Sequence, residues 1–307
     1  MMIEVAIMVE GQNGLNWPRW QRLATAVEDL GFAGLYRSDH YTNSRPPDLD
    51  SLELWVSLTW LATHTRRIEF GPLVSPVSFR QPTMTARMAS AVDDLSHGRL
   101  TLGLGAGWQE REHTNYGWNL LDVPGRFDRF EEGLAIISHL LNSPEPLDFA
   151  GEYFQLHQAV LLPRPQRPGG PPLLVGGNGP RRTLPLAAEY AQEWNAVFIP
   201  KEEFAAKNEL LDELLAANGR APETMRRSLM TRVEIGDEAA LGQKFNLHKT
   251  SLADLRSSGL VLGTPDEIVE QLGALAAAGV QRVMLQWLDL DDLDGLEVLA
   301  RDVVAQL

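Results

Sequence analysis

Apolar residues along this chain recur in two alternating periods. Short runs of aliphatic and β-branched residues, three to seven long, are each followed by a longer stretch with apolar positions at helical spacing. The runs predict strands over Glu4–Val9, Gly34–Ser38, Ile68–Val74, Leu100–Leu104, Leu173–Val175, Asn195–Ile199, Ser228–Glu234 and Arg282–Gln286. The longer stretches predict helices over Pro18–Leu30, Ser51–Thr63, Pro82–Leu95, Arg126–Leu141, Pro180–Ala191, Lys201–Ala217, Pro265–Ala278 and Leu293–Leu307. Several open on proline or a capping residue: Asn16 ahead of the first, and Thr264 with Pro265 at the seventh. Gly31 and Gly279 stand where a helix stops before the next strand.

Strand and helix alternating to the end predict a (β/α)8 TIM barrel over residues 1–307 as a single domain, with a doubly wound parallel sheet as the alternative. Two segments exceed a minimal barrel and are expected to be insertions. One follows the fourth strand, at Asn142–Gly170, where "FAGEYFQLHQAVLLP" predicts a β-hairpin. The other follows the seventh strand, at Gly236–Gly263, and predicts short helical fragments at most.

Composition narrows the setting. No cysteine occurs among the 307 residues, which excludes disulfides and Cys-ligated zinc and leads to the expectation of a cytoplasmic protein. The start, "MMIEVAIMVEGQNG", is predicted to be the first strand and not a signal peptide, and no run of apolar residues is long enough to span a membrane. A net charge of −14 opposes nucleic acid and anionic membranes as partners, so a phosphate-bearing ligand needs a local positive site.

The fourth strand ends in "GRLTLGLGAGW". Its glycines fail the Gly-x-Gly-x-x-Gly test: the sixth position from Gly103 is Trp108, and from Gly105 it is Glu110. Glycines 103, 105 and 107 share one face of the strand, leaving a bare backbone shelf suited to a flat ligand. Close packing of the barrel core explains the same spacing equally well. The wider stretch is more specific. Arg80, Pro82, Ala86, Asp94, Leu95, Ser96, Gly98, Arg99, Leu100, Leu102, Gly103, Gly105, Gly107, Trp108 and Glu112 match, position by position, a hallmark of the luciferase-like monooxygenase family. "SDH", "GPLVSPVSFRQP", "LLVGGNGPRRTLPLAAEYAQEWN" and "GTPDEIVEQLGALAAAGVQRVMLQW" carry the resemblance through nearly the whole chain, and the details resemble the F420-dependent oxidoreductase branch.

That resemblance implies a barrel binding a flavin or deazaflavin at its C-terminal face and acting on a small organic substrate. With coenzyme F420 it implies hydride transfer; with flavin mononucleotide (FMN), a monooxygenase. A barrel that only binds a flavin-like ligand is the reading from another class. By resemblance, His40 is the acid/base beside the reactive ring, a use that suits a side chain titrating near neutrality. Adjacent strand residues face opposite ways, so Asp39, a cofactor-binding candidate, is not expected to orient His40 directly. The resemblance also places the cofactor ring on Val74 and Ser75, with a bulge or cis bond expected between Leu73 and Ser75. Ala106, Gly107 and Glu112 are further cofactor contacts. The phosphate goes to "VGGNGPRR": Gly176, Gly177, Asn178 and Gly179 permit close approach, Pro180 is expected to open a helix whose N–H groups are free, and Arg181 adds a cation. Relatives are often dimers, which makes a homodimer the assembly to test.

Other constellations carry less. His64, His97, His139, His157 and His248 have no metal-ligand spacing, and neither a His-Glu-x-x-His helix nor a Gly-x-Ser-x-Gly elbow occurs. The acidic run "LDLDDLDGLE" lacks the calcium-loop glycine and is expected to cap the last helix, with Trp287 as a candidate wall of the substrate pocket.

Overall fold

In the computed structural model, which describes residues 3–245 and 251–307, apolar alternation becomes a barrel wrapped in helices. His248 lies outside the described residues. The strands are β1 (Glu4–Val9), β2 (Gly34–Arg37), β3 (Glu69–Pro72), β4 (Ser75–Pro76), β5 (Leu102–Gly105), β6 (Leu147–Ala150), β7 (Gln155–Ala159), β8 (Leu173–Gly176), β9 (Glu193–Val197), β10 (Arg226–Ile235), β11 (Val261–Gly263) and β12 (Arg282–Gln286). The helices are α1 (Trp17–Asp29), α2 (Leu54–His64), α3 (Pro82–Leu95), α4 (Glu110–Tyr116), α5 (Val123–Asn142), α6 (Thr183–Tyr190), α7 (Lys201–Ala217), α8 (Glu238–Phe245), α9 (Leu252–Ser257), α10 (Pro265–Ala277) and α11 (Leu293–Asp302).

Parallel pairing runs β3-β2-β1-β12-β10-β9-β8-β5-β4. Strands β3 and β4 are two halves of one barrel position, and a bridge from Phe70 to Leu100 joins β3 to the approach of β5, so the sheet returns on itself. The antiparallel hairpin β6–β7 lies within 142–170, and α8, α9 and β11 lie within 236–263.

Strand side chains alternate between two cores. On β1, Val5, Ile7 and Val9 pack outward against helices, while Ala6 and Met8 point into the barrel beside Tyr36, Leu174, Met230 and Met284. Local signals set the helix ends. Asn16 accepts from the Arg19 N–H at 3.2 Å, Thr264 and Glu267 form a reciprocal capping box, and Asp292 caps α11. Gly31 and Gly279 hold φ of +87° and +98°, conformations that glycine alone adopts freely.

Two expectations need correction. Helix α6 starts at Thr183, not Pro180; residues 180–182 form a turn first, closed by Leu184 N–H donating to the Gly179 carbonyl. Helix α5 starts earlier than expected because Asp122 caps it and Pro124 fits its first turn. Among the described residues no helix is long and apolar enough to cross a membrane.

Candidate active site

The C-terminal ends of the barrel strands enclose a cavity of about 450 Å³. Glu10 and Gln12 reach it from β1, Ser38 and His40 from β2, Val74 from the β3–β4 junction, and Trp108 from β5. A larger cavity of about 670 Å³ lies at the opposite end, among Glu4, Glu69, Glu193 and Arg226. Those charges pair with one another and with Arg282, leaving little for a ligand. The smaller cavity combines apolar walls with convergent polar groups, so it is the candidate site.

His40 is its centre. The imidazole Nδ1 donates to Glu112 Oε2 at 2.8 Å, and Glu112 is fully buried. The other Glu112 oxygen accepts from the backbone N–H of Tyr41 and, at 3.2 Å, of Thr42. Gln109, which precedes α4, donates to the Thr42 carbonyl at 2.9 Å. The start of α4 therefore clamps the loop carrying His40 across 72 residues of chain. Burial opposes charge on His40, but the hydrogen bond and charge of Glu112, helped by Glu10 and Asp39, outweigh it and raise its pKa above 6.5. Nε2 makes no hydrogen bond among the described residues, so it is the atom presented to a ligand. Trp108 stands edge-on to the imidazole, ring centroids 5.5 Å apart.

Glu112, expected to touch cofactor, lines the cavity and has both oxygens engaged by the His40 loop. His113 is likewise satisfied: one ring nitrogen lies 2.7 Å from the Gln109 carbonyl and the other 2.8 Å from Ser78 Oγ, and burial lowers its pKa.

Asp39, the other acidic candidate, is placed differently. It is buried, absent from the cavity wall, and engaged by Arg80 and by Ser75 Oγ at 2.7 Å. Arg80 reaches on to Tyr41 Oη at 2.9 Å and Glu53 Oε1 at 2.7 Å. Asp39 and Tyr41, on either side of His40, are thus pinned by one guanidinium. Arg80 was visible only as a motif letter.

Between β3 and β4 the Leu73–Val74 peptide is cis. The Val74 side chain occupies the face that the strand glycines leave bare. A Cβ on Gly105 would lie 2.7 Å from Val74 Cγ2, and one on Gly176 2.9 Å from Cγ1. A Cβ on Gly103 would meet the Pro72 carbonyl at 2.1 Å. The shelf at Gly103 and Gly105 therefore admits backbone and Val74, and only Gly107, Gly176 and Gly177 of these glycines line the cavity. Ala106 packs against the core instead, and Ser75 is turned to Asp39.

In the β8 loop, Asn178 is committed to structure: its amide donates to the Val197 carbonyl at 2.7 Å and accepts from the Val197 N–H at 2.9 Å. Arg182 pairs with Asp128 at 2.6 Å, while the exposed Arg181 has no ion pair among the described residues. The backbone N–H groups of Gly179, Arg181 and Arg182 have no protein acceptor there either. Gly179, Pro180 and Arg181 stand beyond the cavity wall rather than in it. Trp287 lines a separate cavity with Asp292 and Gly295, so it is not a wall of this one.

Sequence reasoning did not anticipate Glu10, Gln12, Ser38, Asn195 or Phe198, all on the cavity wall. Glu10, Gln12, Ser38 and Phe198 had as their only signal a place just past a strand's C-terminal end, and Asn195, inside β9, had none.

The sequence profile of the luciferase-like monooxygenase family matches residues 2–245. The chain is 32% identical over 158 residues to an F420-dependent glucose-6-phosphate dehydrogenase of Kineococcus radiotolerans, covering 51% of this chain and 46% of that protein. It is 32% identical over 177 residues to 4-hydroxyprotoasukamycin monooxygenase of Streptomyces nodosus subsp. asukaensis, covering 58% and 46%. Both alignments span less than half of the relative's length. An F420-dependent secondary alcohol dehydrogenase, solved with an F420–acetone adduct, shares the fold with a TM-score of 0.86 over 99% of both chains at 18% identity.

Proposed function

Because the chain belongs to the luciferase-like monooxygenase family, we propose that it is an oxidoreductase using coenzyme F420 to transfer hydride to or from a small organic substrate. The observation that carries this reading is the Nε2 of His40, backed by buried Glu112 and turned toward a largely apolar cavity at the barrel's C-terminal end. The F420-dependent relative and fold neighbour support the choice of cofactor.

The residues present fit a flat, fused ring. Val74 offers an apolar surface, and Gly107, Gly176 and Gly177 bring side-chain-free backbone to the cavity wall. Ser75 and Asp39 would act behind Val74, fixing the segment, and Ala106 would support Gly107 from the core side. Gly179 and Arg181 would meet the phosphate-bearing part through their free N–H groups and the Arg181 guanidinium, with Pro180 shaping the turn between them. Asn178 would hold that loop in shape.

When bound, F420 supplies a two-electron hydride donor or acceptor whose carbon at the flavin N5 position makes it slow to react with oxygen. His40 does the rest. In carbonyl reduction, protonated Nε2 donates its proton to the substrate oxygen as the carbon receives hydride; in alcohol oxidation, neutral Nε2 takes that proton. Glu112 holds Nδ1–H in both directions and so keeps Nε2 as the exchanging atom.

The monooxygenase among the relatives supports a second reading, with FMN and oxygen in the same cavity. A cofactor-binding barrel without catalysis is the third. A small-molecule substrate, a cytoplasmic setting and a homodimer complete the proposal, with neither nucleic acid nor membrane as partner; the absence of cysteine and the net charge of −14 support this setting.

Titrating the purified protein with F420 and with FMN, followed by fluorescence quenching, separates the readings. The expectation is tight F420 and weak FMN binding; the reverse overturns the cofactor choice. His40→Ala should lower turnover by about 10²–10⁴-fold while F420 affinity stays within a factor of about two, and unchanged turnover removes the catalytic role.

A further inference from the structure

Charge is distributed unevenly around the barrel mouth. In strand order β1 lies four positions from β8, which is diametrically across an eight-position barrel. The β8 side carries Arg181 and Arg182. The β1 side carries Glu10, a half-buried carboxylate on the cavity wall. Its partners are neutral amides: Gln286 Nε2 donates at 2.7 Å and Gln12 Nε2 at 3.0 Å. No cation pairs with it among the described residues, and its charge reaches His40. Glu112 adds a second carboxylate beside the same imidazole.

Met8, Leu73, Phe79, Val197 and Met230 make much of the remaining wall apolar, and its other polar side chains, such as Ser38 and Asn195, are uncharged. Trp108 stands apart. A Trp in a folded protein is ordinarily well covered, yet this one is 61% exposed and lies one ring away from His40. A carbonyl compound whose oxygen accepts from His40 Nε2 brings its substituents against that indole, where stacking is favourable. A carboxylate or phosphate in the same place meets Glu10 and Glu112 in a partly desolvated site, where like charges repel strongly.

Resting on the oxidoreductase reading above, we propose that this cavity selects a neutral, largely apolar carbonyl or alcohol. Trp108 is the wall for its apolar part, and Glu10 is the carboxylate that turns anions away. The two residues determine specificity and leave proton transfer to His40.

Acetophenone and benzoate test this directly, because they share size and ring and differ in charge. Each is titrated calorimetrically into the protein loaded with oxidised F420, where acetophenone cannot turn over, and into the protein alone. Acetophenone should bind at least about tenfold more tightly than benzoate, a difference of about 1.4 kcal/mol. Trp108→Ala should weaken acetophenone by about fivefold with F420 affinity unchanged. Glu10→Gln should strengthen benzoate and leave acetophenone as it was. Equal binding of the two probes, binding of neither, or a Trp108→Ala protein that binds acetophenone normally overturns the proposal. Failure of F420 to bind is a result against the oxidoreductase reading instead, and the probe preference is then read on the protein alone.

Discussion

The His40 imidazole is held by a buried carboxylate on the same cavity wall. Glu112 raises the imidazole pKa against the opposing effect of burial, and it anchors the adjoining backbone through Tyr41 and Thr42. A histidine whose folded pKa lies above its unfolded value of about 6.5 stabilises the protein fully below that pH. The contribution is lost as pH rises through the folded pKa. Glu112→Gln removes the charge and keeps the shape, so burial then dominates and the His40 pKa falls. In carbonyl reduction, which needs protonated His40, the decline of rate at rising pH should move to lower pH in this variant. Histidine NMR titration should show the same displacement; an unmoved His40 resonance would dissociate the pair. Arg80 supports the same loop from outside, holding Asp39 and Tyr41 on either side of His40.

At the scale of the element, the end of β5 and the β3–β4 junction are fitted to each other. Gly105 is bare because Val74 needs the space, with Val74 Cγ2 only 2.7 Å from a Cβ placed there. Gly105→Ala should therefore destabilise the protein by about 1–3 kcal/mol through overpacking. Adding Val74→Ala should recover part of that loss, although Val74→Ala alone is also destabilising. Urea denaturation of the two single variants and the double variant gives the coupling. Strict additivity would mean that the glycine serves something other than Val74. The spacing of Gly103 and Gly105 showed in advance that one face of β5 was bare, whereas Gly107, expected on the same face, lies beyond the strand end with φ of +87°. It did not show what fills that face, because Val74 arrives from the β3–β4 junction.

Across the whole molecule, the two ends of the barrel divide the work. The N-terminal end is closed by Arg282, whose guanidinium donates to Glu4 at 2.9 Å, Glu69 at 2.7 Å and Tyr36 Oη at 2.7 Å, tying β12 to β1, β2 and β3. Burial works against ionised Glu69, but Arg282 and Arg226 outweigh it and lower its pKa. That contribution to stability is present above the ordinary carboxylate range and lost as pH falls through the folded value. Arg282→Met should strand partly buried carboxylates and cost about 3–5 kcal/mol. A Tm lowered together with F420 affinity retained by the folded fraction checks it. Loss of F420 affinity in fully folded protein would place Arg282 in the binding machinery instead. The C-terminal end carries the His40 imidazole and the exposed Trp108 indole.

Much of this was legible in the chain itself. Strand and helix order, the caps at Asn16 and Thr264, the turn glycines and the family motif are local or near-local patterns, and local patterns survive folding. Tertiary structure alone decided the partnerships: Glu112 with His40, Arg80 with Asp39, Val74 over the glycines, Glu10 on the cavity wall. These residues come together only when a parallel barrel closes. Closure brings the C-terminal ends of strands distant in sequence to one rim, and linear spacing does not encode which side chains meet there.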